Sequence, residues 1–378
     1  MMARIQMKVT VHHRFALEFR SLEDQCLDQV PLEPRWEPAF EWLAFAALRA
    51  GKLAAPGLEV KWHAVVNPVV DSALGLPYCR GIRMSLVNGE GPVVSEEFPF
   101  SFFAEDARSG SAPLVERGLL KSGELFRYKL VSYPSSGTPS PAASAPGGME
   151  IEEVESPAVL GTQRLARLLE GSRLFGKAEP GDYPVFIPHS VLEQCAALAE
   201  GSPASETGGV LIGHLHRDPA SQDIALEVTA QIPVRHAEHK ATTLTFTENT
   251  WAAARDAIRL RGRGETMLSW WHSHPARAWC NPKCGPEERK RCPLMRDYLS
   301  TEDLTLHAAV FPRAYSVALL VTLTDDGPRP ALFGWRLGVV QPRAFHILDP
   351  SDSSRFVKLP ETEIPQPDTA HETPNACD

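Results

Sequence analysis

The chain has 378 residues, a net charge of −9, and ordinary proportions of hydrophobic (43%) and charged (22%) residues. That length accommodates two domains of common size with cores of their own. The acidic balance excludes a broad electrostatic nucleic-acid surface, which needs an excess of Lys and Arg. No stretch approaches the ~20 apolar residues of a membrane-spanning helix, and the start, Met1-Met2-Ala3-Arg4-Ile5, does not read as a signal peptide. Neither nucleic acid nor membrane is therefore expected as a partner. Seven cysteines, three of them crowded into residues 280–292, suit a reduced compartment with a local metal or redox role, so a cytoplasmic location is expected.

In chain order, Ile5, Met7, Val9 and Val11 alternate with polar residues, the period of a half-buried strand. Residues 37–50 read as a helix that is apolar over much of its surface. Strand-like runs follow at 58–66 and 81–88, then a turn at Asn88-Gly89-Glu90-Gly91, a run near 92–103 and another at 124–133. Residues 1–133 are thus a smaller α+β domain whose sequence names no chemistry. Residues 134–150 open with Pro134-Ser135-Ser136-Gly137 and end in Gly147-Gly148 and two further residues. They cannot bury enough apolar surface to offset ordering, and are expected to be a flexible linker.

After a connecting segment at 151–182, a second α+β domain is expected over 183–341. Its elements are a helix at 188–200, strands near 208–215, 224–233 and 242–247, and a helix at 249–261. A strand at 266–272 then runs into His272-Ser273-His274-Pro275, and late strands follow near 315–324 and 330–337. From Pro342 the chain turns Pro-rich and acidic, so 342–378 reads as a tail.

Three short patterns carry chemistry. In a strand, residues i and i+2 face the same side, so His272 and His274 can reach one ion while Ser273 points away and Pro275 ends the ladder. An isolated His-x-His also occurs on surfaces and in cores. Ser300-Thr301-Glu302-Asp303 puts Ser300 and Asp303 on one face of a first helical turn; the same pattern is a helix cap. Glu206, just before Thr207-Gly208-Gly209 and an apolar run, can sit at a strand mouth, or be an ordinary exposed loop residue. Together, two His and one Asp make three protein ligands with a fourth zinc position open, and a carboxylate nearby can move the proton of a zinc-bound water.

These residues, Glu206-Thr-Gly-Gly-Val-Leu-Ile-Gly, Trp-Trp-His272-Ser-His274-Pro and Ser300-x-x-Asp303, resemble the JAMM motif of the JAB/MPN metalloprotease family over roughly residues 183–340. The chain looks like a prokaryotic deubiquitinase-like member carrying an extra N-terminal domain. The resemblance implies a curved mixed sheet flanked by helices, with one zinc on His272, His274 and Asp303. It also implies Glu206 as general base and Ser300 at the oxyanion. The reaction implied is hydrolysis of peptide or isopeptide bonds at the C-terminus of a ubiquitin-like protein or its conjugate. Processing of a sulfur-carrier protein and a non-catalytic scaffold are the alternatives, and the N-terminal domain is a candidate for recruiting the substrate or a conjugating enzyme.

One departure from the family pattern is that residues 275–299 separate His274 from Ser300, longer than the family's usual spacing. The insertion, 276–298, makes Asp297 an alternative third ligand; Asp303 is preferred because only it has a Ser three residues earlier. Cys280, Cys284 and Cys292 in the insertion could hold a second, structural zinc with His214, His216 or His307 as fourth ligand. Free thiols and a reversible disulfide are the rival readings. Cys26, Cys79 and Cys195 read as core residues. His12 and His13 are expected at a strand end on the surface, His236 and His239 in a solvated loop, and Arg289-Lys290-Arg291 on an exposed basic face.

Overall fold

The computed structural model describes residues 8–52, 63–88, 91–134, 160–234, 238–240 and 243–349. The chain divides into two compact units, one built from the described residues before 135 except 49–51 and one from 49–51 with 160–349, each with its own sheet. Both mix helices with strands. The expected linker at 134–150 lies almost wholly outside the described residues, as do His236 and the tail beyond 349. No helix among the described residues is long and apolar enough to cross a membrane.

The N-terminal unit contains β1 (Lys8–Val11), β2 (His13–Arg20), β3 (Cys26–Leu32), α1 (Glu37–Arg49), β4 (His63–Val70), β5 (Tyr78–Asn88), β6 (Gly91–Pro99), α2 (Ala104–Glu116) and β7 (Arg127–Pro134). Its seven strands run in the order β1-β4-β5-β7-β2-β3, with β6 also on β5. Helix α1 falls where the apolar run predicts it and buries Phe40, Trp42, Leu43 and Phe45. Strand β2 gives no alternation because Phe15 to Phe19 are all buried, as suits a strand flanked on both sides. Strand β3 carries Pro31 and lies at the sheet edge, where a missing N–H is tolerated. Cys26 opens that edge strand and is exposed, so it is not a core residue, whereas Cys79 and Cys195 are buried. His13 opens β2 rather than closing β1. The run expected to be extended to 103 stops at Pro99. A 3-10 turn and then α2 follow, and α2 escapes a propensity reading because it holds Gly110 and Pro113.

The C-terminal unit contains β8 (Leu160–Thr162), α3 (Leu165–Glu170), β9 (Ser172–Phe175), β10 (Val185–Pro188), α4 (His189–Glu200), β11 (Gly208–Arg217), β12 (Ile224–Pro233), β13 (Glu238–Lys240), β14 (Thr243–Thr245) and α5 (Glu248–Arg261). It continues with β15 (Thr266–His274), α6 (Ala276–Trp279), α7 (Pro286–Arg291), α8 (Thr301–Val310), β16 (Val317–Thr324), β17 (Gly327–Arg336), β18 (Val339–Arg343) and β19 (Phe345–Leu348). The large sheet follows the order β18-β17-β16-β15-β11-β12-β10-β19-β9, with β8 on β11. It is mixed: β15 pairs parallel with β16 and antiparallel with β11.

This unit is larger than the sequence suggests. Strands β8 and β9 come from the segment expected to be a connector, and β18 and β19 extend into the expected tail. Pro342 masks β18, yet β18 is an edge strand. Phe345 and Ile347 of β19 are buried where the strand runs parallel to β10.

Strand β15 is the centre. From Leu268 to His274 every residue is buried, so it reads as a continuous apolar run ending in two histidines. Trp270 packs with Phe311, Leu320 and Phe333, and α5 closes this cluster through Trp251, which stacks on Phe246 at 5.0 Å. The neighbouring β11 needs Gly213 at its bulge opposite β12, because a Cβ there would stand 1.9 Å from the Glu227 carbonyl oxygen. Gly213→Ala is therefore expected to destabilise the protein by about 1–3 kcal/mol, the usual range for overpacking, as a lower midpoint in urea unfolding.

Candidate metal centre

Strand geometry brings the two imidazoles together: His272 and His274 lie two residues apart at the end of β15, and their Nε2 atoms are 3.1 Å from each other. Both are buried, His272 completely. Asp303 arrives from the first turn of α8, with Oδ2 3.4 Å from His272 Nε2 and 3.8 Å from His274 Nε2. Among the described residues these three form the one group of His, Cys, Asp or Glu whose ligand atoms all lie within 4.8 Å of one another. Glu206 is buried just before β11, with Oε1 3.9 Å from His274 Nε2.

Local structure explains each placement. Helix α8 opens with a reciprocal cap: Ser300 Oγ accepts the Asp303 N–H at 3.1 Å, and Asp303 Oδ2 accepts the Ser300 N–H at 2.8 Å. Capping and ligation, which compete as readings of the sequence, are compatible here. The cap bond aims the same oxygen that faces the imidazoles. It uses Ser300 Oγ only as an acceptor and leaves the hydroxyl proton to be donated elsewhere. Asp297 stands apart from this group, accepting from Thr322 Oγ1 at 2.7 Å and from Arg329 Nε and Nη2 at 2.9 Å.

Glu206 is placed by the pairing of β11 with β15, in which Gly208 lies opposite His272. Ser273 N–H donates to the Thr207 carbonyl at 2.8 Å, and Thr207 N–H donates to Ser273 Oγ at 3.1 Å. The side chain between the two histidines thus fixes the residue after Glu206. Gly209 permits the close approach, since a Cβ there would lie 2.6 Å from Trp271 Nε1 and 2.4 Å from the Ile232 oxygen.

Aromatic rings orient the imidazoles. Trp270 stacks on His272 at 4.7 Å, and Trp279 and Tyr298 each lie 5.1 Å from the His274 ring. Neither Nδ1 has a hydrogen-bond partner among the described residues, so ring packing stands in for the outer hydrogen bond that usually steadies a ligating His. Trp279 and Tyr298 belong to the insertion, and no pattern in the sequence marks them as neighbours of the site.

The residues fit a divalent cation. Tetrahedral zinc with bonds of roughly 2.0–2.2 Å places its ligand atoms about 3.3–3.6 Å apart, and the observed separations of 3.1, 3.4 and 3.8 Å bracket that span. With neutral imidazoles and ionised carboxylates, Glu206, which is buried, and Asp303, which is partly buried, place negative charge where little water reaches and unpaired charge is costly. Burial lowers the basicity of His272, but Asp303 and Glu206 outweigh it and the net direction is up. For His274 burial prevails over Asp303, with help from His272, and the direction is down. Burial would raise Asp303, but the two imidazoles and the Ser300 N–H hold it far below the usual carboxylate range. The two Nε2 atoms face each other at 3.1 Å, a spacing that a cation bound by both can take.

The other histidines and cysteines fall elsewhere. His307 is buried, accepts the Trp270 indole N–H at 3.0 Å and stacks on Trp335, and His216 Nε2 lies 2.6 Å from Glu227 Oε2. The His214 ring lies 5.7 Å from that of His216, tilted by 44°. None of the three is grouped with the insertion's cysteines as the sequence suggested. Arg289 and Lys290 are taken by Asp325 and Glu287. His12 is exposed, and His239 lies in β13.

No family model matches the chain, and no curated protein matches it. Among solved structures the chain is similar to protein DSY2949 from Desulfitobacterium hafniense, at 19% identity and a TM-score of 0.30, over 42% of this chain and 89% of that one.

Two outcomes follow from this geometry. Asp303→Asn is expected to weaken the binding of added zinc, whereas Asp297→Asn leaves it unchanged and instead lowers stability by breaking the pair with Arg329; zinc titration and urea unfolding of both variants separate the roles. Burial pushes His307 down to about 3, so the folded state keeps it neutral while the unfolded chain binds a proton below about 6.5. Stability is therefore lost as pH falls through that window, by about 1.4 kcal/mol per unit from this group. In His307→Gln, urea unfolding measured from pH 7 to 4 should show a shallower decline.

Proposed function

We propose that the C-terminal unit is a zinc-dependent peptidase of the JAB/MPN type, cleaving peptide or isopeptide bonds at the C-terminus of a ubiquitin-like protein. The observation that carries the reaction class is the convergence of His272 Nε2, His274 Nε2 and Asp303 Oδ2, with the buried Glu206 carboxylate 3.9 Å from His274. Three protein ligands leave the fourth tetrahedral position open, as in catalytic rather than structural zinc sites. Zinc held there supplies Lewis acidity and lowers the pKa of water towards neutrality.

The chain's own residues do the rest. Glu206 accepts a proton from the attacking water and returns it to the departing amine, which leaves as a neutral group. The Ser300 hydroxyl, its oxygen already engaged by the helix cap, donates a hydrogen bond to the developing oxyanion. Trp279 and Tyr298 wall the His274 side and limit water there. The substrate class rests on the motif resemblance alone, because a fold does not fix what is cleaved. Retention of all three candidate ligands together with Glu206 favours catalysis over a scaffold role.

The test is cleavage of a ubiquitin-like fusion by the full chain and by Glu206→Gln. Loss of the general base is expected to slow cleavage by about 10²-fold or more while zinc content stays the same. Equal cleavage by both proteins would remove Glu206 from the mechanism, and metal-free protein with normal folding would favour the scaffold.

A further inference from the structure

The insertion between β15 and α8 contains a side-chain cluster that this reaction does not use. Residues 276–298 form only α6, α7 and a 3-10 turn at Pro293–Met295, and α7 buries none of its residues. The packing centre of the segment is Ala276, Cys280 and Met295, with Cys284 and Cys292 against them. So small an apolar cluster does not order a segment of this length unaided, and such segments are usually stapled by a disulfide or a metal. No disulfide is present among the described residues: Cys280, Cys284 and Cys292 are all free.

The backbone nevertheless folds so as to bring the thiols together. Cys284 N–H donates to the Asn281 carbonyl at 2.9 Å, closing a tight turn after Cys280, and Cys292 N–H donates to Arg289 O at 3.0 Å as α7 ends. Cys284 and Cys292 both pack against the cluster that holds Cys280. Cys280 is buried, while the other two are half-buried.

We propose that Cys280, Cys284 and Cys292 form a second metal site, a thiolate site for zinc separate from His272, His274 and Asp303. Three soft sulfur ligands select zinc over magnesium or calcium. Each thiol releases its proton as it binds, so three Zn–S bonds form and three protons leave; water or a further side chain completes the tetrahedron. The sulfurs are less tightly gathered than the His–His–Asp group, and the metal draws them in. Its effect on the neighbouring site is positional. Trp279 directly precedes Cys280, and Tyr298 closes the insertion, so the staple holds both rings against His274. The proposal does not depend on the peptidase reading.

The experiment uses the reduced full chain carrying His272→Ala and His274→Ala, which removes the first site, titrated with cobalt(II). About one equivalent is expected to bind with a sulfur-to-cobalt charge-transfer band, displaced by zinc. Adding Cys280→Ser, Cys284→Ser and Cys292→Ser should abolish the band. Because the serine variant may not fold, thiol reactivity is also measured on the unaltered chain, where zinc should protect about three thiols that a chelator exposes. A folded, reduced chain that shows no thiolate band, or whose thiols react equally fast with zinc and with chelator, overturns the proposal. Peptide cleavage that persists in the His272→Ala, His274→Ala chain, with the band retained, would count against the peptidase reading alone.

Discussion

Two imidazoles and one carboxylate buried at the end of β15, with the partly buried Asp303 facing them from α8, set the terms for the rest of the C-terminal unit. Removing such groups from water is expensive unless each has a partner of opposite charge or a hydrogen bond. Here His272 and His274 face each other and Asp303, with Glu206 close behind. Two carboxylates and two neutral imidazoles leave a charge that a divalent cation balances. The arrangement therefore has a chemical logic as a metal site before any reaction is assigned to it.

The scaffold is built to keep that cluster rigid. A central strand buried on both faces gives the histidines little freedom, and Trp270 lies flat on His272 with its indole N–H tied to His307. On the other flank, Gly209 lets β11 approach Trp271 closely enough for Ser273 and Thr207 to exchange hydrogen bonds, which fixes the backbone beside Glu206. The helix cap at Ser300 does the same for Asp303. Each ligand is thus held by an interaction that would be unremarked as ordinary secondary structure.

The insertion adds a wall that the strands cannot supply. Trp279 and Tyr298 approach His274 from a segment with hardly any regular structure. Precise placement of large rings from such a segment needs local constraints: Arg329 and Thr322 anchor Asp297 beside Tyr298, and the three thiols near Trp279 offer a further one. Order in the insertion and access to His274 are in this way coupled.

Much of this was legible in the amino-acid sequence. The period of two put His272 and His274 on one side, the Ser-x-x-Asp spacing put Asp303 on a first helical turn, and long periodic elements such as α1, α4, α5 and β12 declared themselves by pattern. The sequence could not choose between Asp297 and Asp303 by chemistry, because only the fold puts Arg329 and Thr322 on the former. It hid β2, whose five consecutive buried residues erase alternation, and β18, whose proline is harmless only at an edge. It also gave no sign that Trp279 and Tyr298 flank His274. Local pattern determines which way a side chain points within its own element; which elements meet, and so which groups share a buried space, is decided by long-range pairing that no local spacing encodes.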